Sequence, residues 1–354
     1  MDQKSMRGLV KDTMGPGELV YRDDLPIPEI GDDDVLIKIH CTAICGTDLH
    51  IIDWDEWTQK RVKKPVVTGH ETAGDIVAVG KNVKNRRVGD RVSCESHVPC
   101  GSCFFCKNGM PHICKNVELF GITQDGAFAE YAKIRSDCTF LIPDGLPYEA
   151  GCLFEPMGAG VHGAEVANVK GKSVLVSGCG PIGLAAISAC KQFGASTLIV
   201  CARTDSKLEV AKEMGADIIF NTNKVDLVHK IMELTDGIGV DVAIDVSGSG
   251  DAIHTALQCL RAGGDFVGVG LPTKPVTFDL ANEILYREIH FTGISGRLIW
   301  RTWDDFAEVM NGPYFDYRKV LGGKFAIEDY KEAFARSRSG APGKNLIYPD
   351  SFLT

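Results

Sequence analysis

The feature that most constrains this chain is a glycine-rich turn between an apolar strand and a helix. Residues 178–183 read Gly-Cys-Gly-Pro-Ile-Gly, after an apolar run at 174–177 and before a helix predicted over about 181–193. In this context the pattern indicates a dinucleotide site. We expect Gly178 to make the tight turn, Gly180 to admit a pyrophosphate close to the backbone, and Gly183 to let helix and strand pack closely. The helix N-terminus would then face the phosphates; a glycine-rich turn without ligand is the alternative.

The segments around this turn predict a parallel sheet. Strand-like runs alternate with helices of roughly 10–15 residues, which is typical of βαβ units. These runs lie at residues 174–177, 197–200, 217–220, 240–246 and 265–270. We therefore expect an α/β fold with a Rossmann-type, doubly wound parallel sheet over residues 158–296.

The first part of the chain predicts a different domain. Residues 35–40 and 71–80 cluster β-branched side chains between Gly and Asp turn signals, which favours a compact, irregular β-barrel over residues 1–157. Residues 297–354 are polar and helical, then end in a strand-like run. That segment is too short for a core of its own, so we expect it to return and pack on the first domain.

Charge and cysteine usage limit the partners. The chain has 354 residues, with 38 Lys and Arg against 47 Asp and Glu, a formal net charge of −9. This excess of negative charge disfavours binding to nucleic acid and to anionic membranes. Small molecules or further copies of the chain are therefore the expected partners. No export signal is recognisable, and the 13 cysteines do not form a disulfide pattern, so we expect a cytoplasmic protein with reduced thiols.

The tip of the second Rossmann strand indicates which dinucleotide binds. An NAD site carries Asp or Glu there, about 20 residues past the glycines, whereas this chain has Ala202 and Arg203. Asp205 lies beyond the tip of the strand and is expected at the start of the following helix, where Ser206 and Glu209 have capping-box spacing. A small residue plus an arginine favours NADP(H) over NAD(H); in the alternative, Arg203 is a solvated charge and Asp205 turns inward. Further cofactor contacts are expected at Pro181, Ile182, Lys207, Ser247, Gly270 and Ile294.

Four closely spaced cysteines predict a metal site. Cys100, Cys103, Cys106 and Cys114 lie within fifteen residues. Four thiolates at this spacing can close around one tetrahedral zinc with no open position, which is a structural site.

A second set of possible ligands is dispersed along the chain. Cys45, His70, Glu71 and Glu155 are each weak signals, because a single buried Cys or His is more often part of a core. Together they offer sulfur, nitrogen and oxygen ligands, the mixed set of a catalytic zinc that keeps one position open.

In this order the motifs resemble the zinc-dependent medium-chain alcohol dehydrogenase family over essentially the whole chain. The resemblance is carried by Gly-His-Glu-Thr-Ala-Gly at 69–74, Gly-Asp-Arg-Val at 89–92, the four cysteines and the 178–183 turn. Residues 44–57 and 293–303 resemble the threonine-oxidising branch of that family. The resemblance implies a GroES-like β domain beside the Rossmann domain, two zinc ions per subunit (one catalytic, one structural) and a homo-oligomer, a tetramer or dimer.

The resemblance also implies roles for individual residues. Cys45, His70 and Glu155 would hold the catalytic zinc, with Glu71 as a direct or exchanging fourth ligand. Asp48 would orient His70 through its ring N–H.

A proton relay is implied beside these ligands. Thr47 would take the proton of the alcohol, and His50 would pass it on through the cofactor ribose toward solvent, while His97 resembles an active-site histidine of the family. A hydroxyl suits this position because it donates and accepts at once; a turn residue is the alternative for Thr47.

Two positions depart from the threonine-oxidising branch. Ala202-Arg203 stands where that branch carries an acidic residue and uses NAD, and it resembles instead NADP-using ketose reductases among the polyol dehydrogenases. The segment 156–162 also lacks an asparagine near Ala159.

The expected reaction is the reversible oxidation of a secondary alcohol to a ketone, with hydride transfer to a nicotinamide in a cleft between the domains. L-Threonine or a close 2-amino-3-hydroxy analogue is the first substrate expected, a sugar alcohol or ketose the second and a short diol the third. A nucleotide-binding protein without dehydrogenase activity is the alternative from another class, and it predicts loss of ligands that this chain retains.

Overall fold

The computed structural model describes residues 5–349 and forms two compact units. Unit 1 runs to Pro156 and resumes at Leu321, and unit 2 spans Met157–Val320. Unit 2 is thus inserted in sequence between the two parts of unit 1. The second boundary differs from the one expected at 296/297, since residues 297–320 belong to unit 2.

The elements are numbered in chain order. The strands are β1 Ser5–Lys11, β2 Val20–Pro26, β3 Asp34–Ala43, β4 Val66–Val67, β5 Glu71–Val79, β6 Arg91–Cys94, β7 His97–Val98, β8 Glu118–Leu119, β9 Tyr131–Arg135, β10 Thr139–Leu141, β11 Ser173–Ser177, β12 Thr197–Ala202, β13 Ile218–Asn221, β14 Val240–Asp245, β15 Leu260–Gly268, β16 His290–Gly293, β17 Leu321–Ala326 and β18 Lys344–Tyr348. The helices are α1 Gly46–Asp53, α2 Glu56–Arg61, α3 Phe104–Lys107, α4 Tyr148–Gly151, α5 Phe154–Val166, α6 Pro181–Gln192, α7 Asp205–Glu213, α8 Leu227–Leu234, α9 Gly250–Cys259, α10 Arg301–Asn311 and α11 Tyr330–Arg338. Short 3-10 turns lie at Pro111–Ile113, Ser136–Cys138, Tyr317–Lys319 and Ile327–Asp329, with a π-helical turn at Leu280–Leu285.

Unit 2 is the predicted doubly wound sheet. Its six strands are all parallel, in the order β13-β12-β11-β14-β15-β16. Read along the chain this is 3-2-1-4-5-6, the order of a Rossmann fold, which confirms the predicted fold class. The strands read as continuous apolar runs because helices cover them; Leu175, Ala243 and Phe266 are fully buried.

Unit 1 is an irregular, mainly antiparallel β structure. One sheet has the order β2-β1-β4, and a larger one has β10-β6-β5-β3-β18-β17, with β9 also pairing with β3. The register of β3 against β5 shifts twice, and such bulges let one long strand take part in a curved sheet. The returning strand β18 lies beside β3, with Leu346 opposite Ala43, so the end of the chain completes this unit.

The segment 297–320 joins unit 2 because its helix has a strongly apolar face. Trp303 and Phe306 on α10 are buried, with exposed fractions of 1% and 0%. Ser188 on α6 donates to the Tyr314 carbonyl at 3.1 Å, which ties the segment to the Rossmann helices. Sequence polarity alone did not reveal this face.

Two further observations concern the whole described chain. All thirteen cysteines are free thiols. Between residues 5 and 349, none of the helices combines the length and the apolar character needed to cross a bilayer.

A buried carboxyl between α5 and α10 gives unit 2 a pH-dependent stability. Burial raises the pKa of Glu165 from its ordinary 4.5 to about 8, and a hydrogen bond to Asp305 adds to the effect. The unfolded chain releases this proton at lower pH than the folded chain, so the free energy of unfolding decreases as the pH rises from about 4.5 to 8.

We therefore expect Glu165→Gln to raise the melting temperature at pH 9 by about 2–4 °C and to change it little at pH 5. Thermal unfolding of both proteins at the two pH values measures this. The exposed Glu233→Gln on α8 is the control, expected to show no gain at pH 9. An equal shift for Glu165→Gln at both pH values would contradict the assignment.

Candidate active site and metal clusters

The glycine turn of unit 2 has the geometry that the sequence predicts. Gly178 has φ +101°, which a side chain would strain. A Cβ on Gly183 would lie 2.2 Å from the Gly178 carbonyl oxygen, so only glycine allows this approach. A Cβ on Gly180 would meet nothing within 4 Å, so the space in front of that residue is open to a ligand. Gly180 caps α6, and Pro181 and Ile182 form its first turn.

The other predicted cofactor contacts follow the carboxyl ends of the neighbouring strands. Ser247 follows β14, and its hydroxyl donates to Asp245 at 2.7 Å. Gly270 follows β15, and its N–H donates to the Asp245 carbonyl at 3.0 Å. Ile294 follows β16, and with Gly270 it lines a cavity of about 550 Å³. Ligands of open α/β sheets bind at this edge.

Beyond the tip of β12 lie an arginine whose guanidinium is unpaired and a carboxylate that already has hydrogen-bond partners. Arg203 is exposed, and its guanidinium has no ion pair or hydrogen bond within residues 5–349. Asp205 instead accepts from Asn221 at 2.7 Å and from Lys224 at 2.6 Å. Helix α7 begins at Asp205 with Thr204 as its N-cap, so the capping-box prediction at Ser206 was wrong. The half-buried Lys207 lies in the first turn of this helix.

The four clustered cysteines of unit 1 meet as predicted. Cys100, Cys103, Cys106 and Cys114 place their sulfurs within 4.8 Å of one another. The Sγ–Sγ distances are 3.5 Å for Cys103–Cys106, 3.7 Å for Cys103–Cys114 and 3.5 Å for Cys100–Cys114. Zn–S bonds of about 2.3 Å set the edge of a tetrahedral site at about 3.8 Å, so these residues fit zinc.

Neighbouring donors stabilise negative charge on part of this cluster, whereas burial raises the pKa of Cys106 to about 12. The backbone N–H groups of Cys100 and Asn116 each lie 3.3 Å from the Cys114 sulfur. Hydrogen bonds from Ser102 lower the pKa of Cys100 to about 5. Thiolates, not thiols, are the metal ligands.

A second group of ligand atoms joins residues that are distant in sequence. Cys45, His70 and Glu71 each offer one ligand atom, and these lie within 4.8 Å of one another. Cys45 is the N-cap of α1, Glu71 is the first residue of β5, and His70 directly precedes it. The antiparallel pairing of Ala43 with Glu71 brings these two chain segments together.

The position of Asp48 suits a residue that orients His70. Asp48 Oδ1 and His70 Nδ1 are 3.8 Å apart, and neither atom has a hydrogen-bond partner within residues 5–349. The second oxygen of Asp48 accepts from the Cys45 backbone N–H at 2.9 Å. With Nδ1 toward Asp48, the Nε2 atom of His70 remains for a metal, so this group fits a metal ion with mixed ligands.

The predicted relay residues lie on the first helix. The Thr47 hydroxyl oxygen is 3.5 Å from the Cys45 sulfur. His50 follows three residues later on the same face of α1, exposed, with Nδ1 2.9 Å from Asp55. His97 lies on β7 of unit 1, with Nδ1 3.1 Å from the buried Glu95.

Glu155 stays a predicted ligand of the mixed-ligand site. It lies in the first turn of α5, has an exposed fraction of 5%, and does not belong to the set within 4.8 Å. The negative charge of Glu155 helps to raise the pKa of Asp48, of Glu71 and of Lys344 at the start of β18.

Lys344 is a residue of this site that the sequence analysis missed. Its Nζ donates to both carboxylate oxygens of Glu71, one of them at 2.6 Å, and both side chains are buried. The available signal was a lysine at the start of a strand that continues Asn-Leu-Ile-Tyr and is buried throughout. Such a lysine needs an anionic partner if it is buried.

The fold and the two clusters define a class of protein: a dinucleotide-binding dehydrogenase with a closed four-thiolate site and a separate mixed-ligand site. Comparison with known proteins agrees. Residues 31–144 match the alcohol dehydrogenase GroES-like domain family, and residues 181–311 match the zinc-binding dehydrogenase family. The chain belongs to the zinc-dependent medium-chain alcohol dehydrogenases, and it is an oxidoreductase that acts on CH–OH donors with zinc and a nicotinamide cofactor.

Individual relatives cover almost the whole chain. An L-threonine 3-dehydrogenase of Pyrococcus horikoshii is 38% identical over 96% of this chain and 98% of its own length. The structure of a zinc-binding dehydrogenase of Sinorhizobium meliloti 1021, bound to NADP, has a TM-score of 0.88 at 28% identity, covering 98% of this chain and 100% of that one. The 2R,3R-butanediol dehydrogenase of Bacillus subtilis has a TM-score of 0.86 at 29% identity, with the same coverage.

Proposed function

We propose that this enzyme oxidises the 3-hydroxyl group of L-threonine, or of a close 2-amino-3-hydroxy analogue, to a ketone. The observation that carries the proposal is the group formed by Cys45, His70 and Glu71, with the Thr47 hydroxyl 3.5 Å from the Cys45 sulfur. The relatives named L-threonine 3-dehydrogenase support the substrate, at 36–39% identity.

Each nearby side chain has a task in this reaction. Cys45 and His70 hold the metal, with Glu71 or Glu155 completing the ligand set, and Asp48 fixes the ring of His70. A bound zinc supplies a Lewis acid that lowers the pKa of the alcohol hydroxyl. Thr47 would accept the hydroxyl proton of the alcohol while releasing its own proton toward His50. A bound nicotinamide would supply the acceptor for the hydride of the adjacent C–H bond, which leaves a ketone. His97 is proposed as a further active-site histidine.

We propose two zinc ions per subunit. The second is held by Cys100, Cys103, Cys106 and Cys114, whose sulfur spacing supports a closed tetrahedral site. It takes no part in the chemistry, because four thiolates leave no position for a substrate.

NADP(H) is the proposed cofactor, since Arg203 is unpaired and Asp205 is engaged by Asn221 and Lys224. Arg203→Ala is therefore expected to raise the Kd for NADP(H) by about 10-fold or more, the scale of a lost charge-assisted hydrogen bond, and to change the Kd for NAD(H) little. Titration with each reduced cofactor, followed by nicotinamide fluorescence, measures this. Lys212→Ala, at an exposed position in the last turn of α7, is a control for loss of surface charge. An equal increase in Kd for both cofactors would contradict the role of Arg203 in selecting NADP(H).

The substrate is tested by initial rates with L-threonine, sorbitol and 2,3-butanediol, each with both cofactors. We expect kcat/KM to be highest for L-threonine with NADP. The alternative is an NADP-dependent polyol dehydrogenase or ketose reductase, or a butanediol dehydrogenase, which the Ala202-Arg203 tip and the structural likeness to butanediol dehydrogenase favour. A higher kcat/KM for sorbitol or 2,3-butanediol than for L-threonine would favour this alternative function.

A tetramer or dimer and a cytoplasmic location remain predictions. Size-exclusion chromatography with light scattering measures the first, and cell fractionation the second.

A further inference from the structure

One face of helix α5 holds the segment 294–302, which follows strand β16. Gly158, His162 and Glu165 are spaced four and three residues apart, so they lie on the same side of the helix. The first residue of the segment, Ile294, is an expected cofactor contact and lines the cavity at the carboxyl ends of β15 and β16. All of these residues belong to unit 2. The helix face can therefore act on a bound cofactor through this segment.

Two of the contacts between helix and segment do not depend on pH above neutrality. A Cβ on Gly158 would lie 2.9 Å from the side chain of the buried Arg297, so glycine at this position lets the arginine lie against the helix. Nδ1 of His162 lies 3.0 Å from the carbonyl oxygen of Gly296. Burial lowers the pKa of His162, so its ring is neutral above pH 7.

The third contact passes through a carboxyl group. The Thr302 hydroxyl donates to Oε2 of Glu165 at 2.8 Å and accepts from the backbone N–H of Leu298 at 3.1 Å. Thr302 thus links Glu165 to the turn that precedes α10. The side chain of Glu165 is 5% exposed, so water does little to stabilise a negative charge on it.

The groups around Glu165 determine when that charge forms. The charged and titratable neighbours are Asp305 and Arg301 on α10, Arg297 before α10 and His162 on α5. Burial and a hydrogen bond to Asp305 raise the pKa of Glu165 to about 8. Nε of Arg301 lies 3.2 Å from Glu165, but the arginine side chain is 72% exposed, so water screens much of its charge. Above pH 8, two carboxylates therefore face each other between α5 and α10.

We propose that Glu165 is a positioning residue for the nicotinamide cofactor, which holds the 294–302 segment in place for binding while the carboxyl group carries a proton. Ionisation brings two like charges together, and their repulsion loosens Thr302 and the turn that it anchors. Cofactor affinity then decreases as the pH rises through the ionisation of Glu165. The inference rests on the proposed cofactor site at the carboxyl ends of the unit 2 strands.

The test measures the binding of NADPH to the full chain by calorimetry, in two buffers whose ionisation enthalpies differ. Because binding favours the protonated carboxyl group, the wild type should take up about half a proton for each NADPH bound near pH 8.5. The Kd should rise by about fivefold or more between pH 7 and pH 9. In Glu165→Gln the side chain is permanently neutral, so most of the proton uptake and of the rise in Kd should disappear.

Two further variants show whether the effect belongs to the pair of carboxyl groups. Asp305→Asn removes the second negative charge, so the rise in Kd with pH should become smaller. Asp304→Asn changes the adjacent, exposed carboxylate of α10 and is the matched control, expected to keep the wild-type pH dependence.

A merely structural role of Glu165 would change the Kd by the same factor at every pH. An equal change at pH 7 and pH 9 in Glu165→Gln, or proton uptake that persists in this variant, would therefore overturn the positioning role. A wild-type protein that binds neither NADPH nor NADH at pH 7 would instead overturn the proposed cofactor site, and the role of Glu165 with it.

Discussion

Thr47→Ala is expected to lower kcat by about 10²–10⁴-fold, the usual contribution of a positioned proton-transfer group. Thr47 lies in the first turn of α1, with its hydroxyl 3.5 Å from the Cys45 sulfur, and His50 follows on the same helical face. Alanine keeps the helix but removes the group that takes the alcohol proton. Cofactor affinity and the content of both zinc ions should be unchanged.

Steady-state rates across pH, with metal analysis of the same samples, measure this effect. Thr47→Ser retains a hydroxyl and is the matched control, expected to keep most of the activity. Thr58→Ala removes a different hydroxyl, which donates to the His50 carbonyl, and should affect stability more than kcat. Near-normal turnover of Thr47→Ala would show that the proton leaves by another route.

Cys103→Ser is expected to lower the zinc content from two ions per chain to one and to destabilise the cysteine lobe of unit 1. Its sulfur lies 3.5 Å and 3.7 Å from those of Cys106 and Cys114, so its loss opens the tetrahedron. Metal binding to such a site contributes directly to folding free energy. We expect the melting temperature to decrease by about 5–10 °C.

Metal analysis and thermal unfolding of the purified variant test this prediction. Cys259→Ser, at a buried thiol in the core of unit 2, is the control, since it should destabilise the protein without loss of zinc. The mixed-ligand site should still fill in Cys103→Ser. An unchanged zinc content would contradict the structural site.

The local motifs could be recognised because a few adjacent residues specify their geometry. Positive φ at Gly178 and close packing at Gly183 follow from the turn itself. The four cysteines lie within one short segment, so their convergence requires no knowledge of the rest of the fold. The strand and helix alternation of unit 2 likewise reflects local apolar patterns.

Long-range packing explains where the sequence analysis fell short. The division of residues 297–354 between the two units depends on the buried face of α10, with Trp303 and Phe306, and on the pairing of β18 with β3. Helix α7 starts at Asp205 as expected, but its N-cap is Thr204 and not Ser206. Neither outcome is encoded in the spacing of nearby residues.

By itself, the sequence determined the Rossmann turn, the four-thiolate cluster and the kind of ligands offered by Cys45, His70 and Glu155, and hence the class of reaction. Only the tertiary structure decided that the ligand atoms of Cys45, His70 and Glu71 come within 4.8 Å of one another and that Lys344 pairs with Glu71. The physical reason is that a turn or a cysteine loop is fixed by bonds along a short stretch of chain. A buried ion pair across 273 positions depends on which strands become neighbours and in what register.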